Sequence, residues 1–383
     1  MITDSLYYED CHKKEFTAKV VSCTQTEKGY HVVLDQTAFY PEGGGQPGDT
    51  GTLSGILVTD TQAIEDKIVH ICPAPLQEGS IVTGKLDWER RFNFMQQHTA
   101  EHILSGIIHK MFGFHNVGFH MGSEGVTMDF DGIIPKEALE DLETQANQAV
   151  FANLPVLCSI PSPEELENIT YRTKRPLPWP VRLVEVPGYD RCACCGIHVG
   201  HTGEVGLIKI LSMVKFHQGI RMEMVCGNKA FTLLQKVYQQ NTLVSQAFSA
   251  KILETGAAAQ KVNDQLAQQK FQITGLSRKL LDYIAGAYAG KGNCVHFESD
   301  LPTAMLRELA DKIAFCCGGT AAVFSGTEEA GYQFCLVNKQ EDISHLGAKL
   351  LECCGGRGGG RKGFFQGSLS CTRAEIENVS IFV

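Results

Sequence analysis

"MQQHTAEHILSG", residues 95–106, sets two histidines four positions apart in an apolar, helix-like run. On a helix, residues i and i+4 lie one above the other on one face, so His98 and His102 present two imidazoles to the same point. That is half of a metal site. Alone, the pair fits a solvated face or a hydrogen-bonded core histidine just as well, so its meaning depends on partners elsewhere in the chain.

The strongest partner is "DRCACCGIHVGHTGEVG", 190–206, where Cys194 and His198 form a second pair at i and i+4. Thiolate plus imidazole is typical zinc chemistry. The spacing leaves the register open, because Cys192, Cys195 and His201 lie within reach of the same ion. Four protein ligands would close a tetrahedral site and make the metal a positioner; three plus water would leave it a Lewis acid or a source of hydroxide. A third motif, "QTAFYPEGGGQPGDTGTL" at 36–53, has three consecutive glycines, which permit close approach of main chain to a ligand, and Gln46, which offers a donor and an acceptor. No Gly-Lys-Ser/Thr follows, so it is not a Walker loop.

The chain has 383 residues, 43% of them hydrophobic and 20% charged, which suits a soluble protein of two or three domains. No apolar run approaches the ~20 residues of a membrane span, and the start has no signal-peptide core. Fifteen cysteines, crowded at "RCACCGIH", fit free or metal-bound thiols in a reducing compartment better than a disulfide framework. The expected location is cytoplasmic. A net charge of −9 does not exclude a nucleic-acid partner, because binding polyanions requires only a local basic surface. Two stretches offer one: "YRTKRPLPWPVR" (171–182) and "GGRGGGRKG" (355–363).

The expected fold class is α+β. Residues 1–88 alternate as short strands between turns and predict a small N-terminal β-barrel carrying the glycine-rich motif. Residues 89–230 predict an α+β metal-binding domain, and 231–289 a helical linker, read as a broken arm with no tight heptad past Gly256. Residues 290–383 predict a compact α/β domain with a glycine-rich loop.

In that order, "FYPEGGGQPGDTG", "RRFNFMQQHTAEHILSG" and "CCGIHVGHTGEVGLIKI" closely resemble the editing domain of alanyl-tRNA synthetases and the freestanding alanyl-tRNA editing proteins (AlaX type). The tail "CCGGRGGGRKGFFQGS" resembles the glycine-rich signature of the DHH-associated C-terminal domain, which follows the editing module in the long AlaX form. The resemblance implies a zinc-dependent trans-editing deacylase that hydrolyses the ester of tRNA(Ala) mischarged with serine or glycine. By position it implies Zn2+ on His98, His102, Cys194 and His198. Gln46 and Gly44 would lie beside the ester, and Thr37 would bond the seryl hydroxyl. A site that hydrogen-bonds that hydroxyl spares Ala-tRNA, which leaves the polar group unpaired.

The family pattern often has Cys-Gly-Gly-Thr-His where this chain has Cys194-Cys195-Gly196-Ile197-His198, which puts a branched apolar residue beside the metal. No aminoacylation motifs precede the barrel, so synthesis of Ala-tRNA is not expected, and the catalytic Asp-His-His module of DHH phosphoesterases is absent. RNA contacts are expected at Arg172, Lys174 and Arg175, with Trp179 stacking on a base, and at Arg357, Arg361 and Lys362 in the tail. The long form also suggests a homodimer through the C-terminal domain. Two alternatives stand beside this reading: a non-catalytic, zinc-stabilised tRNA-binding protein, and a deacylase for another misacylated tRNA, such as a threonyl ester.

Overall fold

A computed structural model describes residues 3–27, 29–122, 125–173 and 179–379. The chain divides into two compact units, Met1–Leu243 and Val244–Val383.

The first unit opens with a seven-stranded sheet in the order Ile56–Val58, Gly51–Leu53, Ile81–Leu86, Glu15–Thr26, Gly29–Leu34, Lys67–Cys72, Asp60–Ile64. The two outer strands are consecutive in sequence and joined by Thr59 alone, whose N–H donates to the Ile71 carbonyl at 2.8 Å. This curls the sheet into the nearly closed barrel that the alternation predicts. Along Ile81–Leu86 every second residue is buried, and Phe16, Val20, Leu34, Phe39, Leu53 and Val82 fill the interior.

Helix α1, Trp88–Phe112, follows. Asp87 caps its start by accepting from the Arg90 N–H, and Gly113, at φ 74°, ends it. Residues 94–108 are buried without a break, so α1 is enclosed on all sides and His98 and His102 do not lie on a solvated face. Around it stand helix α2, Leu139–Phe151, and a four-stranded antiparallel sheet in the order Asn116–Met121, Val126–Phe130, Gly219–Cys226, Ile208–Phe216. Met95, Ile103, Leu104 and Ile108 of α1 share one core with Met128, Leu142, Met222 and Met224. A three-stranded sheet, Leu157–Ser159, Leu183–Val186, Asp190–Ala193, releases its last strand into the loop bearing Cys194 and His198.

Helices α3, Gly227–Phe248, and α4, Thr255–Gly286, succeed one another with a break between them. α4 starts one residue before Gly256 and leaves Leu266, Phe271, Ile273, Leu276, Leu280 and Tyr283 exposed. The remaining domain is a five-stranded sheet in the order Gly292–Glu298, Gly318–Thr327, Gly331–Val337, Phe364–Leu369, Arg357–Arg361, with helices Thr303–Cys317, Ser344–Cys354 and Arg373–Glu377. The tail expected as a glycine-rich loop is instead an edge strand. Its glycines admit the neighbouring strand closely: a Cβ on Gly360 would stand 2.1 Å from the Phe364 carbonyl oxygen. Among the described residues no helix is long and apolar enough to cross a membrane.

One buried polar unit lies inside the barrel. His70 Nδ1 lies 3.0 Å from the Val32 carbonyl and can only donate to it, so Nε2 accepts the Thr37 hydroxyl proton at 2.8 Å. Burial pulls the imidazole down to about 4, against the Val32 bond. The unfolded chain therefore takes up a proton that the folded one refuses between about pH 6.5 and 4. Stability is complete above that window and falls as pH drops through it, by ~3 kcal/mol at its lower end. In urea titrations a His70→Asn variant is expected to be less stable than wild type at pH 7, with the gap closing towards pH 4. A gap independent of pH would contradict the neutral imidazole.

Candidate metal centre

His98, His102, Cys194 and His198 come together in the first unit, with their ligand atoms all within 4.8 Å of one another. Cys194 Sγ is 3.4 Å from His98 Nε2 and 3.6 Å from His198 Nε2. A tetrahedral ion with bonds of ~2.1 Å to nitrogen and ~2.3 Å to sulfur sets those atoms about 3.6 Å apart, so the donor set fits zinc. Cys195, His201 and Cys192, left open by the spacing, are not in this group. Cys192 instead joins His102 and Asp190 in a second grouping on the far side of the His102 ring.

What makes the cluster a ligand set is the other nitrogen of each ring. His98 Nδ1 faces Gln46 Oε1 at 3.3 Å, His198 Nδ1 faces Thr99 Oγ1 at 3.1 Å, and His102 Nδ1 faces Asp190 Oδ2 at 3.0 Å. Thr99 donates its own proton to the Met95 carbonyl at 2.9 Å, so it accepts from His198. His98 and His198 thus each give Nδ1–H to an oxygen and turn an Nε2 lone pair to the centre, while His102 Nδ1 faces the Asp190 carboxylate as an ion-pair contact without hydrogen-bond alignment. Burial resists ionisation of Cys194, but the surrounding imidazoles outweigh it and hold the thiol well below its usual range. Burial, helped by His98 and His102, pushes His198 well below 6.5 and keeps it neutral. For His102 burial is outweighed by Asp190 and Cys194, so a proton sits there until a cation displaces it.

The glycine motif is built to meet this centre. Gly43 and Gln46 exchange N–H···O bonds of 3.0 Å across Gly44 (φ +59°) and Gly45 (φ +82°), a two-residue hairpin turn that needs left-handed residues at both positions. Gln46 Oε1 also accepts from the Ile197 N–H at 3.0 Å, which fixes the amide and leaves Nε2 fully buried without a partner among the described residues. The turn's flanks are clamped to α1: Arg91, 1% exposed, donates to the Ala38 carbonyl at 2.6 Å and through Nε to Asp49 at 2.7 Å, and Asp49 also accepts from the Tyr40 N–H. Arg91 lies two helical turns before His98.

Several contributors left no sequence signal of their own. A Cβ on Gly196 would fall 2.1 Å from His98 Cε1, so only glycine lets that ring in. Arg182 donates to the carbonyls of Cys194 and Gly196 at 2.9 and 3.0 Å, and Tyr8 to that of Cys195 at 2.7 Å. Ile197, the departure from the family pattern, is 1% exposed, buries its side chain in the core and meets the site through its N–H alone.

Thr37 is 0% exposed and lies outside the metal cluster: it gives its proton to His70 and accepts from the Phe39 N–H at 3.1 Å, which leaves one lone pair. Arg172, expected at RNA, lies against the metal cluster's neighbour Asp190. Its guanidinium grips both oxygens of buried Asp190, at 2.6 and 2.9 Å, with 14% of the side chain exposed. Lys174 and Arg175 lie outside the described residues. Trp179 is exposed, its indole N–H donating to the Pro161 carbonyl, while Arg357, Arg361 and Lys362 are exposed on the glycine-rich edge strand and the turn after it.

Comparison with known proteins places this barrel, whose glycine turn leans on the His3Cys cluster. A family profile described as tRNA synthetases class II (A) matches residues 2–90, and one described as Threonyl and Alanyl tRNA synthetase second additional domain matches residues 181–222. The chain is 30% identical over 400 residues to the alanyl-tRNA editing protein Aarsd1 of Danio rerio, covering 96% of this chain and 95% of that protein. It is 33% identical over 246 residues to the alanyl-tRNA editing protein AlaX-L of Pyrococcus horikoshii, covering 62% and 61%. With the alanine–tRNA ligase of Pyrococcus abyssi it shares 31% over 399 residues, 98% of this chain and 43% of the ligase. The chain belongs to the family of alanyl-tRNA editing proteins.

Zinc content per chain is expected to fall several-fold in Gly196→Ala, which drives a methyl into the His98 ring, and in Cys194→Ser. Ile197→Thr is expected to leave it unchanged. Full zinc in Gly196→Ala would show that the approach of His98 is not needed.

Proposed function

We propose that this protein hydrolyses the aminoacyl ester of tRNA(Ala) mischarged with serine, and of the glycyl ester as well, at a centre built on His98, His102, Cys194 and His198. The observation that carries the reading is Gln46. Its oxygen is held by Ile197 and faces His98, and its amide nitrogen is fully buried with no acceptor among the described residues. An orphaned buried donor costs about 1–3 kcal/mol and is retained where a ligand supplies the acceptor.

In the proposed reaction the ester carbonyl oxygen takes that place and Gln46 Nε2 donates to it. As the carbon becomes tetrahedral, negative charge grows on an oxygen already facing a fixed N–H. The main-chain amides of Gly44 and Gly45, which among the described residues make no hydrogen bond, stand at the tip of the same turn. Zinc on the four donors would supply a fixed positive charge close to the ester. The nucleophile is water, oriented by the free hydroxyl of the terminal ribose. Its oxygen bonds to the carbonyl carbon, the ester C–O bond breaks, and its proton passes to the ribose oxygen, giving the free amino acid and tRNA.

Selectivity rests on Thr37. With its proton given to His70, its remaining lone pair accepts the seryl hydroxyl. The exposed Arg357, Arg361 and Lys362 support phosphate contact by the C-terminal domain.

Replacing Gln46 by Glu keeps the acceptor facing His98 and Ile197 and removes the donor. Deacylation of Ser-tRNA(Ala) is expected to fall ~10²–10³-fold with zinc retained, as for the loss of one oxyanion donor. In the same assay wild type should clear the seryl ester and spare the alanyl one. Tight tRNA binding without turnover of any ester would establish a binding protein, and faster loss of a threonyl ester would reassign the substrate.

A further inference from the structure

Both ends of the basic stretch 171–182 turn inward. Arg182 holds the carbonyls of the loop bearing Cys194, and Arg172 holds Asp190 with two bonds from a planar fork. The main chain at Arg172 is fixed as well: its N–H donates to the Arg191 carbonyl at 2.8 Å, and its carbonyl accepts from the Ala193 N–H at 2.9 Å. The guanidinium is therefore placed by the same strand that delivers Asp190 and leads into Cys194.

We infer that Arg172 is a positioning residue of the metal centre, acting through Asp190 on His102; the inference rests on the metal-centre reading above. Asp190 is 7% exposed and could face His102 in more than one rotamer. A fork bonded to both of its oxygens leaves one orientation, in which Oδ2 stands 3.0 Å from His102 Nδ1 and Nε2 turns to the ligand cluster.

The second grouping gives Arg172 another effect. His102, Asp190 and Cys192 offer donors to a cation on the wrong face of the ring. The Arg172 charge already stands at that carboxylate, where it repels a competing cation and keeps Asp190 for the imidazole. Lysine would keep the charge but not the two-point grip.

The test measures zinc affinity by competition with a chromophoric chelator, alongside the absorption of the cobalt(II)-loaded full chain, where thiolate and imidazole ligation gives a defined band. In Arg172→Met zinc affinity is expected to fall ~10–100-fold and the cobalt band to weaken, with Arg172→Lys between it and wild type. Binding of uncharged tRNA at saturating zinc should not change. Asp190→Asn, which keeps the shape and loses the anion, should reproduce the loss if Arg172→Met folds poorly. Unchanged zinc affinity and cobalt band in Arg172→Met would overturn the inference, and a selective loss of tRNA affinity would return Arg172 to the RNA surface. Neither readout uses deacylation, so an inactive wild type would end the proposed function without touching this result.

Discussion

Three imidazoles and a thiol can share one small buried volume as metal ligands only if something decides which ring nitrogen faces inward. Here an oxygen stands at the outer nitrogen of each ring: Gln46 Oε1 and Thr99 Oγ1 in hydrogen bonds with His98 and His198, and Asp190 Oδ2 as an ion-pair contact 3.0 Å from His102. Those oxygens come from the barrel, from the strand before the ligand loop and from α1 itself. The fold can be understood as the means of bringing three oxygens and four ligands together. The buried Arg91–Asp49 pair holds the barrel's glycine turn to α1, and Gly196 opens the space that His98 enters. Without a cation such a cluster is costly, since it buries polar groups around a thiol that its neighbours favour as an anion. A metal bound there would therefore be linked to the folding of this unit.

The same arrangement connects the centre to chemistry. In the proposed reaction Gln46 would be used twice, its oxygen facing His98 and its nitrogen, unpaired among the described residues, left for a substrate. Fixing the oxygen on the Ile197 N–H removes the freedom of the amide to turn over, so the donor is set before any ester arrives. This explains why an apolar residue is tolerated at position 197: the site takes only its backbone N–H, and the side chain belongs to the core.

The four ligands were legible because i, i+4 spacing on an apolar helix and the Cys-x-x-x-His run are local patterns. The barrel was legible because alternation with period two is local as well. Thr99, Asp190 and Gly196 were not, since each matters through a partner ~10² residues away and carries no periodicity. The contact made by Arg172 was not legible for a related reason. In sequence it sits among Lys174 and Arg175 as a basic run, whereas the fold turns its fork onto a buried carboxylate. The glycine-rich tail misled in the other direction: glycines that suggest a loop serve as an edge strand because their missing Cβ atoms admit the neighbouring backbone.

The central claim is that one ion is held by three Nε2 atoms and one sulfur, with the remaining thiols excluded. X-ray absorption at the zinc edge of the purified full chain tests it most directly. The account predicts a first shell of three nitrogens at ~2.0–2.1 Å and one sulfur at ~2.3 Å, unchanged in Cys192→Ser and Cys195→Ser. A shell with two or more sulfurs, or one altered by either substitution, would contradict it.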